Sequence, residues 1–225
     1  MDLYNQKWQK FLGRIWPFNF IPFVELVLAA GSLATGNMNE NSDFDVIIGV
    51  RQGRIFTARF FCWLTFGMFG WRAKHPAYKS NESYKSYRNK ICFNHFVTPK
   101  AYRLSPPHNE YWKKLYESLI PVYGSPEAIQ KFFDANSDWM GSQRIYQDNP
   151  RHKYKKSGWI KCFREWLLGG RFGDWAERKL KAIQIKRIER NLKTQIGHKP
   201  RIIFNDNELE FHPDTKRIEN FLKEE

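Results

Sequence analysis

Apolar and polar positions fall in blocks that lay out the first half of the chain. "FVELVLAA" (23–30) is a continuous apolar run bounded by turn signals, which predicts a buried strand. "FDVIIGV" (44–50) is crowded with β-branched residues and predicts a second strand. The polar "TGNMNENS" between them, rich in Asn, predicts a loop. From about Gly53 to Phe69 apolar residues fall on most faces of a helical pattern, as in a helix packed on a sheet. After the polar connection "ESYKSYRNK", "ICFNHFVT" (91–98) predicts a third strand closed by Pro99. Residues 1–20 mix Trp, Phe and Lys in a helix-like pattern that ends at Pro17 and Pro22.

The second half has helical periods. "PHNEYWKKLYESLIPVYG" and "SPEAIQKFFDANSDWM" predict short helices, the latter capped by Ser125 with Pro126 in its first turn. "FGDWAERKLKAIQIKRIERNLK" has the clearest period, with Asp174 as N-cap, Glu177 three residues on, and Ala176, Leu180, Ile183 and Ile188 as its apolar positions. "RIIFNDNELEFH" predicts a small hairpin turning at Asn205–Asn207. The expectation is an α/β (α+β) fold: a small mixed sheet flanked by helices within residues 1–105, then a mainly helical region over 106–225 ending in the hairpin.

Charge sharpens this picture. The chain of 225 residues carries a net charge of +14. Between Arg151 and Arg201 there are 16 Lys/Arg against 4 Asp/Glu, so most of the excess sits there. A balance that basic points to a polyanionic partner. Three readings stay open for this region: a solvated helix face, a nucleic-acid backbone site with Trp159, Trp166 and Trp175 as stacking groups, or a surface meeting anionic lipid. In the lipid reading "FFCWLTFGMFGW" (60–71) would help, although the helix covering the sheet explains that run more simply. The same run is too short to span a bilayer, and no signal peptide is legible at the N-terminus. Cys62, Cys92 and Cys162 form no CxxC pair, which argues against a disulfide framework or zinc site and for a reducing, cytoplasmic setting.

The chemistry concentrates in residues 28–50. Asp43 and Asp45 are i and i+2, so on a strand both carboxylates leave the same face, roughly 6–7 Å apart. Like charges held that close raise each other's pKa, and a divalent cation removes the penalty. Oxygen ligands favour Mg²⁺ or Mn²⁺, with Mg²⁺ completing its shell from substrate phosphates and water. Gly31-Ser32 follows the first strand. A short helix starting there would present free N–H groups suited to phosphate, with close backbone approach at Gly31 and a hydroxyl at Ser32.

Gly31-Ser32, ten residues, then Asp43-Phe44-Asp45, with apolar flanks "VELVLAA" and "VIIGV", resembles the GS-x10-DxD signature of the polymerase-β-like nucleotidyltransferase superfamily. The likeness extends over about residues 20–98. It implies a nucleotidyltransferase-like domain over 1–105 that moves a nucleoside monophosphate from an NTP, ATP among them, to a hydroxyl acceptor. It also implies that Asp43 and Asp45 hold metal while Gly31 and Ser32 contact the triphosphate. Arg51, Arg54 or Arg59 are candidates for stabilising the pyrophosphate leaving group.

The family adds a third carboxylate from a later strand, and "KICFNHFVT" has no Asp or Glu. Its polar candidates are Cys92, Asn94 and His95. Asn94 is a weak metal ligand through its amide oxygen, and His95 is a candidate base with an ordinary pKa near 6.5, or a hydrogen-bonded structural histidine. Glu82 is a further candidate for the missing acid. Glu40 reads as solvated loop, and Asp206 and His212 as turn and surface residues. The alternative function is a nucleotidyltransferase-like module, reduced in catalysis, that binds nucleotide or nucleic acid.

Overall fold

A computed structural model describes residues 2–73, 87–141, 150–154, 158–193 and 201–212. The three predicted strands form as β1 (Val24–Ala29), β2 (Phe44–Val50) and β3 (Ile91–Val97). Helix α1 (Leu3–Leu12) precedes β1, the five-residue α2 (Gly31–Thr35) follows it, and α3 (Ile55–Met68) joins β2 to β3. β2 and β3 are parallel, so strand–α3–strand is the crossover unit that the apolar pattern demanded.

Four more strands complete one sheet: β4 (Ile120–Gly124), β5 (Lys153–Tyr154), β6 (Arg201–Phe204) and β7 (Glu208–His212), in the order β5-β4-β1-β2-β3-β7-β6. The fold is therefore mixed α+β, and its sheet is mostly antiparallel, with β2–β3 and β4–β5 the parallel pairs. Strands from both sides of residue 105 share it. The helical reading of "LIPVYG" is corrected, because β4 runs there. Pro121 lies opposite Leu28 where the β1–β4 register shifts, a place where a strand tolerates a residue with no N–H to give.

Helices cover both faces. On one face Leu26, Leu28, Ile47 and Val97 pack against α4 (Glu110–Glu117), α5 (Pro126–Asp134) and α6 (Ser137–Met140) through Trp112, Tyr116, Ile129, Phe132 and Met140. On the other, Phe44, Val46, Ile48 and Phe96 pack against Trp8 and Phe11 of α1 and Phe56, Ala58, Cys62 and Phe66 of α3. α7 (Trp159–Leu167) and α8 (Arg171–Lys193) lie over this second layer, with Leu168, Ala176, Leu180 and Ile185 joining its core.

Two details of α8 differ from the periodic reading. The helix starts at Arg171, so Asp174 sits inside its first turn and pairs with Arg54 at 2.6 Å instead of capping. Ile183 points to solvent, and the inward positions are Gln184 and Ile188. Glu177 reaches the N-terminus of α3, where it accepts from the backbone N–H groups of Phe56 (2.9 Å) and Thr57 (2.8 Å) and from the Thr57 hydroxyl. A carboxylate there satisfies orphan donors and meets the positive end of the helix dipole.

Candidate metal and phosphate site

β1 ends where β2 and β3 begin, so one edge of the sheet gathers the C-terminus of β1 and the N-termini of the other two. Asp43 immediately precedes β2 and Asp45 is its second residue. Phe44 and Val46 fill the core beneath α3, so strand alternation turns Asp45 to the opposite face. Both aspartates are half-buried. Cys92 of β3 stands opposite Asp45 in the parallel register. Asp43, Asp45 and Cys92 each bring one ligand-type atom within 4.8 Å of the others.

The Cys92 thiol hydrogen-bonds to both carboxylates. Burial, then the two neighbouring negative charges, pushes it well above the usual thiol range, so it stays a neutral donor. Asn94, two residues further on, donates its side-chain amide to Asp45 Oδ1 at 3.0 Å. The structure thus brings Asn94 to the aspartates with its NH₂ presented, orienting a carboxylate. Where the family resemblance implies a third acid, this chain puts a thiol and an amide.

Gly31 comes from the other side. It has φ +60°, and a Cβ at this position would fall 2.3 Å from Asp45 Oδ2. Only glycine fits between the start of α2 and the carboxylate, and the left-handed φ is one that other residues adopt at a cost. The Ala30 N–H donates to the Asp45 carbonyl at 3.0 Å, which ties this turn to β2. Ser32 follows, half-buried at the start of α2. Gly31, Ser32, Asp43 and Asp45 therefore lie at one end of the sheet, as the sequence predicts.

One residue that the sequence reading passed over belongs here. Lys7 of α1 is buried, and its ammonium donates to the carbonyls of Glu40 and Ser42, each at 2.9 Å. It fixes the loop that delivers Asp43. Burial lowers its pKa to about 8, helped by Arg88 and Lys10, while Asp43 and Glu40 oppose the shift. In "KWQKF" Lys7 shares the face of Trp8 and Phe11 that α1 turns inward.

Other candidates lie elsewhere. Arg51 follows β2 and pairs with Glu165 at 2.7 Å, and Arg54 pairs with Asp174. Arg51 is six residues on from Asp45, about 20 Å of extended chain. Arg59 is buried on α3, bonded to Gln184 Oε1 at 2.8 Å and stacked on Trp63 with 3.9 Å from guanidinium carbon to ring centre. The expectation that one of these arginines meets a leaving group at the aspartates is corrected: all three tie the sheet and α3 to the C-terminal helices. Glu82 lies outside the described residues. Glu40 is largely exposed, and Asp206 pairs with Lys181 at 2.6 Å.

His95 sits one step further along β3, opposite Ile47. Its Nε2 is 3.1 Å from Glu208 of β7, and Glu208 also accepts from the Ser105 hydroxyl at 2.7 Å. Glu210, the other inward acid of β7, pairs with Arg201 at 2.8 Å. His95, Glu208 and Glu210 form a second, fully buried group with ligand-type atoms within 4.8 Å of one another. The sequence marks this stretch only as a hairpin, and nothing in its pattern singles out Glu208 and Glu210.

No protein-family model matches this chain, and comparisons with curated proteins and with solved structures return no match.

Proposed function

We propose that this end of the sheet binds a divalent cation and the phosphates of a nucleotide, and that the chain is a nucleotidyltransferase transferring a nucleoside monophosphate from an NTP to a hydroxyl acceptor. The observation that carries the reading is the packing of Gly31 against Asp45, with Asp43 beside it, so that the glycine-serine turn and both carboxylates face one space.

The donor set fits Mg²⁺ or Mn²⁺. Two of the three ligand-type atoms gathered here are carboxylate oxygens, the hard donors that these ions take. Asp43 and Asp45 would hold the ion, which would supply the positive charge that offsets negative charge developing in phosphoryl transfer. Asn94 and the Cys92 thiol orient the carboxylates by donating to them. Lys7 holds the Asp43 loop from behind. Gly31 lets the turn pack directly against the Asp45 carboxylate, and Ser32 offers a hydroxyl donor beside it.

A second reading has its own support. The position beside Asp45 on β3 holds a neutral thiol and an amide that donates, neither of which accepts the acceptor hydroxyl's proton. That favours a module that binds nucleotide without turnover, unless His95 or a group on the acceptor serves as base.

Titration of each NTP with and without Mg²⁺ into the wild type and an Asp43→Asn/Asp45→Asn double variant tests both. Metal-dependent binding that the variant loses supports the site, and absence of binding by the folded wild type to every NTP sinks it. Transfer of labelled α-phosphate, or its absence while binding persists, separates the enzyme from the binding module.

A further inference from the structure

Helix α7 is inside out. Lys161, Arg164 and Glu165, spaced i, i+3 and i+4, face the protein. The buried Lys161 ammonium donates to the Val24 carbonyl at 2.7 Å and to the Tyr123 hydroxyl at 3.2 Å. Arg164 donates to the Phe20 carbonyl at 3.0 Å, and Glu165 accepts from the Phe23 N–H at 2.8 Å and from Arg51. The apolar face is turned to solvent: Trp159 is 78% exposed and Trp166 76%, with Phe163 and Leu167 exposed between and beside them. A surface helix ordinarily buries its apolar stripe and solvates its charges. Here specific polar contacts hold the opposite orientation.

The exposed apolar surface does not stop at α7. Phe60, Leu64 and Met68 recur at every fourth residue on the outer side of α3, and α8 begins with exposed Phe172 and Trp175. α3 adjoins α7 through Phe61, whose ring centre lies 5.7 Å from the Arg164 guanidinium carbon, and α8 through the Glu177 cap. Among the described residues, every exposed Leu, Ile, Met, Phe and Trp belongs to α1, α3, α7, α8 or the turns beside them; none is on α4, α5 or α6. Along α8 the exposed surface then becomes cationic, with Arg171, Arg178, Lys179, Lys186, Arg187 and Arg190 exposed.

We propose that this layer docks on an anionic lipid bilayer, with α7 lying in the interface and its Trp, Phe and Leu side chains among the acyl chains and headgroups. Charge complementarity selects the occupant. A helix with Trp and Phe on one face and Lys and Arg nearby lies in the plane of a membrane, and anionic headgroups add attraction for each basic residue. Aliphatic side chains at Leu64, Met68, Leu167 and Ile183 gain from acyl contact but offer a nucleic acid neither stacking nor a donor. No helix among the described residues is long and apolar enough to cross a membrane, so the contact is peripheral. It does not depend on the nucleotide reading.

Co-sedimentation of the full chain with phosphatidylcholine vesicles, and with the same vesicles carrying phosphatidylglycerol, tests the proposal. The wild type is expected on the anionic vesicles, with salt weakening the binding. Trp159→Ser/Trp166→Ser is expected to lose about tenfold or more in affinity at unchanged thermal stability. Arg178→Gln/Lys179→Gln is expected to lose roughly fivefold per charge on anionic vesicles alone. Lys100→Ser/Lys131→Ser, on other elements, is expected to bind as wild type. Failure of the wild type to bind anionic vesicles, or undiminished binding by the tryptophan variant, overturns the proposal. So does a dimer in sedimentation velocity that the tryptophan variant abolishes without loss of vesicle binding, which would assign the face to a second copy. Loss of oligouridylate binding in that variant, with vesicle binding intact, would overturn it in favour of nucleic acid.

Discussion

At the scale of single residues, the site depends on a glycine and a lysine more than its acids suggest. Gly31→Ala must place a methyl 2.3 Å from Asp45 Oδ2 while holding φ near +60°. The left-handed backbone alone costs about 1–2 kcal/mol, and the clash must move either Asp45 or the turn. The expected outcome in thermal denaturation is destabilisation of that order, and calorimetry should show loss of metal-dependent nucleotide binding. Ser32→Ala should leave stability nearly unchanged and weaken nucleotide binding only. Lys7 makes a pH prediction. Its pKa falls from the ordinary 10.5 to about 8, so between those values the unfolded chain keeps a proton that the folded chain has released. Stability relative to a Lys7→Met variant should therefore rise as pH climbs through that window and be flat below it. Melting temperatures of both proteins across the window check the sign; a relative fall would mean that the ammonium form is the one the fold favours. The acids and the Gly-Ser pair were legible because spacing on a strand fixes a shared face. Lys7 was not, since nothing local says that a charged residue on an amphipathic helix will be the one covered by a distant loop.

At the scale of elements, the contact between α3 and α8 rests on a side chain that the sequence suggests for another task. Glu177 reads as part of a capping box for its own helix, yet it caps α3. Glu177→Ala leaves two backbone donors of α3 without their acceptor, and the expected cost is about 2 kcal/mol. Asp174→Ala, which removes only an exposed partner of Arg54, should cost under about 1 kcal/mol. Chemical denaturation of the two variants measures the contrast, and equal effects would mean that the cap contributes little. β1, β2 and β3 were legible to within about a residue because apolar runs in a central sheet leave little choice of face. β4 was hidden by Pro121, which local pattern places outside a sheet unless a register shift receives it. α7 was hidden for a different reason: Trp159 and Trp166 read as exposed groups of a basic region, but the helix that carries them turns its polar side inward, where long-range bonds of Lys161, Arg164 and Glu165 hold it.

At the scale of the whole molecule, the sheet decides whether the expected division at residue 105 can be a folding boundary. β1 has β2 on one side and β4 on the other, and β3 has β2 on one side and β7 on the other. A fragment of residues 1–105 keeps the central three strands but strips both their outer neighbours, opening two apolar edges. It also loses Leu209 from the core above β3, takes Glu208 from His95, and removes Lys161 from the Val24 carbonyl. Trp112, Tyr116 and Phe132, which cover the face bearing Leu26 and Leu28, go as well. Each loss alone is one that a domain survives with a few kcal/mol to spare; together they exceed the roughly 5–15 kcal/mol by which domains are stable. The expected outcome is that the fragment shows neither cooperative thermal unfolding by circular dichroism nor dispersed amide resonances, whereas the full chain shows both. A cooperative transition in the fragment would return the motif-bearing half to the status of an independent domain. It would also mean that β4 and β7 were added to a sheet already complete, with the acids of β7 serving something other than the fold.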